Sequence, residues 1–277
     1  MGLRINTNVN SLTAQHRLQS HRESLEATSD RLASGSRIVK AMDDAAGLAI
    51  SENLRSTVRA TGQNIKNARE GFLLLQTADG NLNEMTNIVI RMKELATQAA
   101  SDTNGDKERS YLNDEYQELK AEIDRISAST LYNGRPLLNG DGGIIDIQVG
   151  PNNQDSVDRV GVASNFHVDL ETLGMDGFSI ATAEGARDAL EPTDWALDKI
   201  ASVRGAIGAG ESRLNSTIGS LMHYEENTSA AYSKIRDADI AHETAQLTKA
   251  NILSQAGVSV LAQANSFPQL ALKLLGG

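Results

Sequence analysis

One pair of residues in this sequence begins a catalytic motif. His242-Glu243 starts the His-Glu-x-x-His pattern of zinc peptidases, in which two histidines one helical turn apart hold the metal and the glutamate activates water. Gln246 stands where the second histidine is required, so the zinc ligand set is incomplete. The chain also has no cysteine, which excludes thiol catalysis, Cys-ligated zinc, iron–sulfur clusters and disulfides. We predict no catalytic residues, no metal, no cofactor and no enzymatic activity.

Two acidic clusters have the right residue types for cation binding but not the right spacing. Asp102, Asn104 and Asp106 resemble the start of a calcium loop, but lysine occupies the position that needs glycine. We interpret this cluster as a polar turn between helices. Asp43 and Asp44 could hold a metal as a pair. The simpler interpretation is that their charge favours the N-terminus of the helix that follows.

Three residues could form a contact surface instead of a catalytic site. Arg91, Leu95 and Gln98 stand at positions i, i+4 and i+7, so they share one face of a helix. This face is offset from the main apolar seam, which places Leu95 at the edge of the seam or outside it. Two interpretations remain open, a widened core stripe and a contact patch for a neighbouring subunit or a receptor.

Long helices must position these residues. Leucines and a valine recur at intervals of seven near the N-terminus, at Leu18, Leu25, Leu32 and Val39. A second apolar seam runs through residues 54–99, which as one helix would span about 70 Å. A third occupies residues 112–130, and a weaker one residues 197–235. These periods predict long helices packed in coiled-coil fashion.

The period changes in the middle of the chain. Residues 143–151 alternate apolar and polar side chains between Gly and Pro, which predicts a strand, and residues 158–162 are its expected partner. Asn133-Gly134 is a turn signal. Residues 163–185 are mixed in character, and we interpret them as a loop.

The C-terminal segment has the most regular pattern. Its seam positions are spaced alternately by four and three residues and read Leu253, Gly257, Val260, Ala264, Phe267, Ala271 and Leu274. Large residues alternate with small ones, so another helix can approach closely at the small positions. Pro268 lies inside this pattern and is expected to kink or end the helix near Phe267.

Charge is distributed unevenly along the chain. The net charge is −10, and residues 45–236 hold 18 basic and 28 acidic side chains, so both ends are close to neutral. An acidic chain argues against nucleic-acid binding and against docking on an anionic membrane. We find no apolar run long enough to span a membrane and no secretory signal at the N-terminus.

The two ends cannot fold on their own contacts. Burying four large side chains contributes roughly 6–12 kcal/mol, whereas ordering some 40 residues costs roughly 40–80 kcal/mol of backbone entropy. We therefore predict that both ends are disordered in a free monomer and fold on assembly.

Several strings of residues resemble those of bacterial flagellins. They lie at residues 5–8, 31–38, 43–50, 76–80, 91–96 and 132–134. The most specific is Gln-Ala-Gly-Val-Ser-Val-Leu-Ala-Gln-Ala-Asn at residues 255–265. The similarity covers residues 1–162 and 185–277, and only a short loop lies where many flagellins insert large outer domains.

The resemblance implies a mainly α fold, a long antiparallel coiled-coil or helical-bundle rod with a small β-hairpin region and paired N- and C-terminal helices. Residues 1–44 and 237–277 would be the two inner-tube helices. Residues 45–178 and 179–236 would be the two parts of the rod domain. Inner-tube packing falls on Leu18, Leu25, Leu32, Leu253, Gly257, Val260, Ala264, Phe267 and Leu274.

The resemblance also implies a function and partners. The chain would be a structural subunit of the extracellular flagellar filament, exported unfolded through the flagellar type III apparatus and assembled into a helical homopolymer. Expected partners are further copies of the chain, the filament cap protein, an export chaperone on the C-terminal segment and the hook–filament junction protein. Arg91 and Leu95, with Glu115 on the next helix, match the patch that animal innate receptors recognise on many flagellins. The alternative identity is a hook–filament junction protein, which has flagellin-like ends.

Overall fold

Long helices dominate the fold, which a computed structural model describes for residues 7–163 and 166–275. The helices within this part are α1 (Val9–Ser34), α2 (Ala45–Ala99), α3 (Asp106–Ser129), α4 (Asp155–Asp158), α5 (Ala183–Asp188), α6 (Leu190–Arg236) and α7 (Ile240–Leu275). The strands are β1 (Leu131–Tyr132), β2 (Arg135–Pro136), β3 (Ile144–Gln148) and β4 (Arg159–Ala163). The predicted mainly α fold with a small antiparallel strand region is confirmed.

Local sequence signals explain where the longest helices begin and end. The Asp44 carboxylate accepts a hydrogen bond from the Gly47 backbone N–H at 2.8 Å and caps α2, so Asp44 has the predicted helix N-terminal role. The Asp43 carboxylate instead accepts from the backbone N–H groups of Val39 and Lys40 in the preceding turn. Helix α2 has 55 residues, a length of about 80 Å. Helix α1 ends at Gly35, whose φ of 66° is the left-handed conformation that glycine adopts most easily.

The chain divides into two compact units. The first contains residues 1–56 and 227–277 and is built around α1 and α7. These helices run antiparallel, since the Asn8 side-chain amide donates to the Ala264 carbonyl at 2.9 Å while Ser36 forms an antiparallel bridge with Asp237 at the other end. The predicted pairing of the terminal helices is confirmed.

Residues 57–226 form the second unit, which holds the main apolar core. The α2 seam supplies Leu75, Leu82, Met85, Val89 and Met92, which are all at most 1 % exposed. Two glycines allow close packing in this unit. A Cβ at Gly71 would lie 2.0 Å from Ile147 Cδ1 of β3, and one at Gly210 of α6 would lie 2.9 Å from Leu75 Cδ1.

The predicted strand pair and the predicted turn are both present. Strand β3 pairs antiparallel with β4, from Ile144 opposite Ala163 to Gln148 opposite Arg159. The prediction of a strand with a partner after residue 157 is thus confirmed, except that Asp158 belongs to α4. Strands β1 and β2 form a hairpin through Asn133 (φ 50°) and Gly134 (φ 79°), as expected for a two-residue turn with both residues left-handed.

The segment 166–182 is irregular, as predicted, but it is also part of the core. Val168, Leu173, Met175 and Ile180 are each fully buried. Its backbone is held by side chains that recur along one face of α3, namely Asn113, Gln117, Lys120 and Asp124. We call residues 166–182 the docked segment. Helix α7 continues through Pro268 to Leu275, so of the two effects expected of Pro268 it does not show an end near Phe267.

Candidate interaction surfaces

Small residues on α7 face α1. Leu18 is 7 % exposed, and a Cβ at Gly257 would lie 3.2 Å from its Cδ1 atom, which is already a tight contact. Ala14 and Ala264 are also buried. The small positions of the C-terminal seam therefore let the two terminal helices approach each other closely, and they do so within one chain.

Large residues of the same seam remain exposed. Leu253 is 37 % exposed and Val260 59 % exposed, although they lie on sequence positions that alternate with the half-buried Gly257 and the buried Ala264. On α1, Leu25 and Leu32 are half-buried. The side chains of Phe267 and Leu274, which continue the row of large residues, lie outside the described part of the structure. We call Leu253 and Val260 the apolar row of α7.

His242 and Glu243, which begin the incomplete zinc-peptidase motif, do not form an open site. His242 is exposed, whereas Glu243 is buried against α1, where its Oε1 atom lies 3.8 Å from Arg31 Nη1. The second carboxylate oxygen of Glu243 has no hydrogen-bond partner in the described structure. An ion pair with this geometry favours one register of the helix pair, because sliding α7 would leave the buried charge without its partner.

Arg91 is the centre of an exposed ion-pair network that joins α2 to α3. Its Nε and Nη2 atoms both lie 2.8 Å from Glu115 Oε1, and its Nη1 atom donates to Glu94 at 3.1 Å. The hydrogen bond to Glu115 is the main reason why the pKa of Arg91 is raised above its ordinary value, and the bond to Glu94 adds to it. Gln98 lies two turns further along α2 and is exposed. Three of the four predicted patch residues thus have side chains open to solvent.

Leu95 does not lie at the edge of the seam. It is 1 % exposed and belongs to the main core cluster, so the expectation that it stands near or outside the edge is wrong. Core packing on more than one side of α2 widens the buried stripe beyond the two seam positions. The widened core stripe is therefore the correct interpretation for this residue in the single chain. Leu95 supports the backbone beneath Arg91 and Gln98 but offers almost no surface of its own.

The acidic turn after α2 is occupied by arginines. Asp102 pairs with Arg187 at 3.0 Å and Asp106 with Arg109 at 3.0 Å. Within residues 7–163 and 166–275, no group of three or more histidine and acidic side chains is arranged to hold a metal ion. None of the helices in these ranges combines the length and the apolar character that crossing a membrane requires.

The docked segment and its polar row on α3 were missed by sequence reasoning. Asn113 Oδ1 accepts from the Ser179 hydroxyl at 2.8 Å and from the Ile180 backbone N–H at 3.0 Å. Lys120 is 6 % exposed and donates to the backbone carbonyls of Asp176 and Phe178, and its burial lowers the pKa of the ammonium group. The available signal was the 4-3-4 spacing of polar residues on α3, which is the spacing of a packed face.

Long paired helices, an exposed apolar row at seven-residue intervals and solvent-facing ion pairs define a helical structural protein. Comparison with known families identifies which one. The model of the bacterial flagellin N-terminal helical region matches residues 5–142, and that of the C-terminal helical region matches residues 190–275. The chain is 37% identical to a flagellin of Halalkalibacterium halodurans over 98% of this chain and 99% of that one. It is 36% identical to a flagellin of Bacillus subtilis, over 99% of this chain and all of the relative. The chain belongs to the bacterial flagellin family.

Solved structures agree with this assignment. The crystal structure of Bacillus cereus flagellin is 30% identical, with a TM-score of 0.50, and the match covers 56% of this chain and 88% of that one. A hook-associated protein of Vibrio parahaemolyticus matches 70% of this chain with a TM-score of 0.59, but at 14% identity it shows the fold alone. As a flagellin, the chain is a structural subunit of the extracellular bacterial flagellar filament and not an enzyme.

Proposed function

We propose that the chain assembles with copies of itself into a helical tubular polymer and that the apolar row of α7 is one of the surfaces through which it does so. The observation that carries the proposal is the contrast along one seam. Gly257 packs against Leu18 of the same chain, whereas Leu253 and Val260 are left exposed. Large apolar residues at intervals of seven are suited to a further helix, and a neighbouring copy supplies one.

The energetics favour a partner over solvent for this row. Burying each large aliphatic side chain contributes roughly 1.5–3 kcal/mol. Val9 and Leu12 on α1 and Ile252 and Val258 on α7 are further apolar side chains with large exposed fractions. Helices α1 and α7 thus expose large apolar side chains on more than one face, and neighbouring copies packed around the helix pair would remove them from water. A contact between one surface and a different surface of the next copy does not close on itself, so it produces a fibre.

The proposed assembly also gives a role to each of the predicted inner-tube and rod segments of the chain. Residues 1–44 and 237–277 form the helix pair of an inner tube. Residues 45–178 and 179–236 form the surrounding rod domain, and they contain the whole net negative charge. An acidic outer part suits contact with water, and near-neutral inner helices suit burial. This arrangement supports an inner tube made of α1 and α7.

A charge placed in the apolar row tests the proposal. Purified protein is heated to monomers, cooled and seeded, and filaments are counted by electron microscopy. Val260→Asp should abolish filament growth, because it would place a carboxylate in an apolar interface. Filaments of normal yield and length from Val260→Asp would overturn the proposal.

The matched control is Gln255→Asp. Gln255 is exposed on α7, on the side of the helix away from the seam, and the substitution adds the same charge to the same helix. We expect this variant to form filaments. Circular dichroism of both monomers shows whether either substitution has removed helix, so loss of folding is separated from loss of the interface.

Membership in the family supports proposals for several further partners. We propose export in the unfolded state through the flagellar type III apparatus, with a chaperone bound to the C-terminal segment. At the tip the filament cap protein would receive the subunit, and at the base the hook–filament junction protein would contact the first copies. The exposed apolar row supports the chaperone proposal, since a free chain would otherwise present it to water before assembly. Pull-down of the purified chaperone by full-length chain, compared with a chain ending at Arg236, tests this contact.

The exposed network around Arg91 is the candidate receptor surface. Arg91, Gln98 and Glu115 present charge and hydrogen-bonding groups on neighbouring helices, and Leu95 fixes the backbone beneath them. We propose that an animal innate receptor for flagellin recognises this surface. Arg91→Ala should reduce signalling in receptor-expressing cells with little change in thermal unfolding. Unchanged signalling would contradict the assignment.

The alternative function is that of a hook–filament junction protein. Junction proteins have flagellin-like ends, and this chain shares its fold with a hook-associated protein. Both points support the alternative. The near full-length similarity to flagellins at 36–37% identity favours the filament subunit. Stable short oligomers in place of long filaments in the seeding experiment would favour the junction protein.

A further inference from the structure

We propose that Asn133, in the turn between β1 and β2, is a site of spontaneous deamidation, and that the fold protects the two other Asn-Gly sequences of the chain. In this reaction the backbone nitrogen of the next residue attacks the side-chain Cγ and the Cγ–Nδ2 bond breaks. Ammonia leaves and a cyclic succinimide remains. Water then opens either carbonyl of the ring, which gives aspartate or isoaspartate. Glycine as the next residue leaves the attacking nitrogen unshielded, because it has no Cβ.

The chain contains three such sequences, Asn104-Gly105, Asn133-Gly134 and Asn139-Gly140. Sequence alone makes them equivalent. The structure distinguishes them by three features that the reaction needs, namely a free attacking nitrogen, a free leaving amide and a backbone that can bend into the ring.

Asn139-Gly140 is protected at every one of these points. Its side-chain amide donates to Asp141 Oδ2 at 3.0 Å, and its side-chain carbonyl accepts from the Asp141 backbone N–H at 3.0 Å. The attacking atom, the Gly140 nitrogen, is itself engaged, since it donates to the Phe166 carbonyl at 3.1 Å. Several hydrogen bonds must therefore break before the ring can close.

Asn104-Gly105 is protected in part. The Asn104 side-chain amide donates to the Gln98 carbonyl across the turn, and the residue is half-buried. Gly105 is the N-cap of α3, so closing the ring would also disturb the start of that helix. The leaving group is held here, but the attacking nitrogen is not engaged as it is in Gly140.

Asn133-Gly134 has neither form of protection. Asn133 is exposed, and within the described residues its side chain makes no hydrogen bond and the Gly134 nitrogen donates none. The hairpin has two residue pairs, Leu131 with Pro136 and Tyr132 with Arg135, and its base is fixed by the hydrogen bond from the Leu137 N–H to the Thr130 carbonyl at 3.1 Å. Freedom for ring closure is therefore confined to the exposed tip, where fraying of the two pairs next to the turn lets the backbone bend.

The product would change the hairpin. Asn133 and Gly134 both have positive φ, as the two central residues of a tight turn that matches the twist of the strands. Isoaspartate adds one atom to the backbone, so the same two residues no longer close the turn in the register of Tyr132 opposite Arg135. Either product adds one negative charge at an exposed position.

Peptide mapping by mass spectrometry tests the proposal. Folded protein is incubated in mildly alkaline buffer, and the conversion of each Asn-Gly peptide from amide to acid is followed over time. Asn133 should react fastest and Asn139 slowest, with a difference of about tenfold or more, since tenfold corresponds to about 1.4 kcal/mol of added barrier. Equal rates at the three sites, or conversion at Asn139 as fast as at Asn133, would overturn the proposal.

Two comparisons separate protection by the fold from intrinsic reactivity. In urea the three rates should become similar, and a persistent preference for Asn133 would contradict a structural cause. Asp141→Ala removes the carboxylate that accepts from the Asn139 side-chain amide, whereas the bonds from the backbone N–H of residue 141 and from the Gly140 N–H remain. The rate at Asn139 should therefore rise part of the way towards that at Asn133, which should stay unchanged. An unchanged rate at Asn139, with a circular dichroism spectrum equal to that of the parent, would contradict the protection assigned to this side-chain hydrogen bond.

Discussion

Arg91 and Leu95 lie one helical turn apart on α2 but have different environments. Arg91 is held in an exposed network with Glu115, whereas Leu95 is buried in the core. A leucine in this position is needed for packing whether or not a partner is present. Loss of assembly or of receptor signalling in Leu95→Ala would therefore report on the core as much as on a contact surface.

We expect Leu95→Ala to lower the free energy of unfolding by about 2–5 kcal/mol, because it removes buried methyl groups and leaves a cavity. Urea unfolding of the monomer, followed by circular dichroism, measures the change. Ile90→Ala is the control on the same helix. Ile90 is 44 % exposed, so its substitution should change stability by about 0.5 kcal/mol or less. Equal effects of the two substitutions would show that Leu95 is not packed as described.

Tyr116 gives the chain a pH dependence in the alkaline range. Burial disfavours the phenolate and raises the pKa of Tyr116 to about 12, against a value of about 10 in an unfolded chain. Between these pH values the unfolded state releases the proton and the folded state keeps it. The stabilising contribution is thus complete below pH of about 10 and is lost as pH rises towards about 12, by roughly 3 kcal/mol in total.

Tyr116→Phe isolates this effect, since all other titrating groups are shared with the parent chain. The difference in unfolding free energy between the two proteins should shift in favour of the variant as pH rises through this window, and urea titrations at several pH values measure it. Tyr111→Phe is the matched control on the same helix. Tyr111 is 64 % exposed, so this substitution removes a phenolic hydroxyl from the same helix without changing the core. A pH-independent difference for Tyr116→Phe would contradict the assignment.

At the scale of secondary-structure elements, the docked segment depends on α3. Asn113→Ala removes the acceptor of two hydrogen bonds and leaves the buried Ile180 N–H without a partner. We expect a loss of about 1–3 kcal/mol and faster amide hydrogen exchange at Ile180. Glu118→Ala is the control, because Glu118 is exposed on the same helix. Unchanged exchange at Ile180 in Asn113→Ala would show that the segment is held by its apolar residues alone.

The helices and the strand pair could be predicted because each has a repeating pattern. The period of the α2 seam and the alternation in residues 143–151 depend only on neighbouring residues in the sequence. The burial of Leu95 and Ile180 depends instead on contacts between elements that are distant in sequence. Irregular residues such as Met175 and Ile180 have no period, so their position in the core could not be predicted from spacing.

The candidate site was predictable to a similar degree. The alternation of large and small residues on α7 predicted a seam, but it could not show that Gly257 contacts Leu18 while Val260 remains exposed. Both sets satisfy the same heptad pattern. Only the rotation of α7 against α1 decides which of them faces the partner helix.

At the scale of the whole molecule, the two units differ in how much apolar surface they bury. Among the described residues of α1 and α7, the buried apolar side chains are Ala14, Leu18, Ala250 and Ala264, of which three are alanines. The second unit buries large side chains along α2 from Leu74 to Leu95. Because alanine burial contributes little against the entropy of ordering two long helices, the terminal pair should be the less stable part of a monomer.

We therefore expect amide hydrogen exchange in the monomer to be fast along α1 and α7 and slow around Met85 and Val89. In assembled filaments, exchange along α1 and α7 should become slow, since neighbouring copies would then cover Leu253 and Val260. The Val260→Asp chain is the control, because it should show the same fast exchange in its terminal helices before and after seeding. Strong protection of α1 and α7 in the monomer would mean that the helix pair is stable alone. In that case the exposed row would contribute to the contact between subunits but not to the folding of the ends.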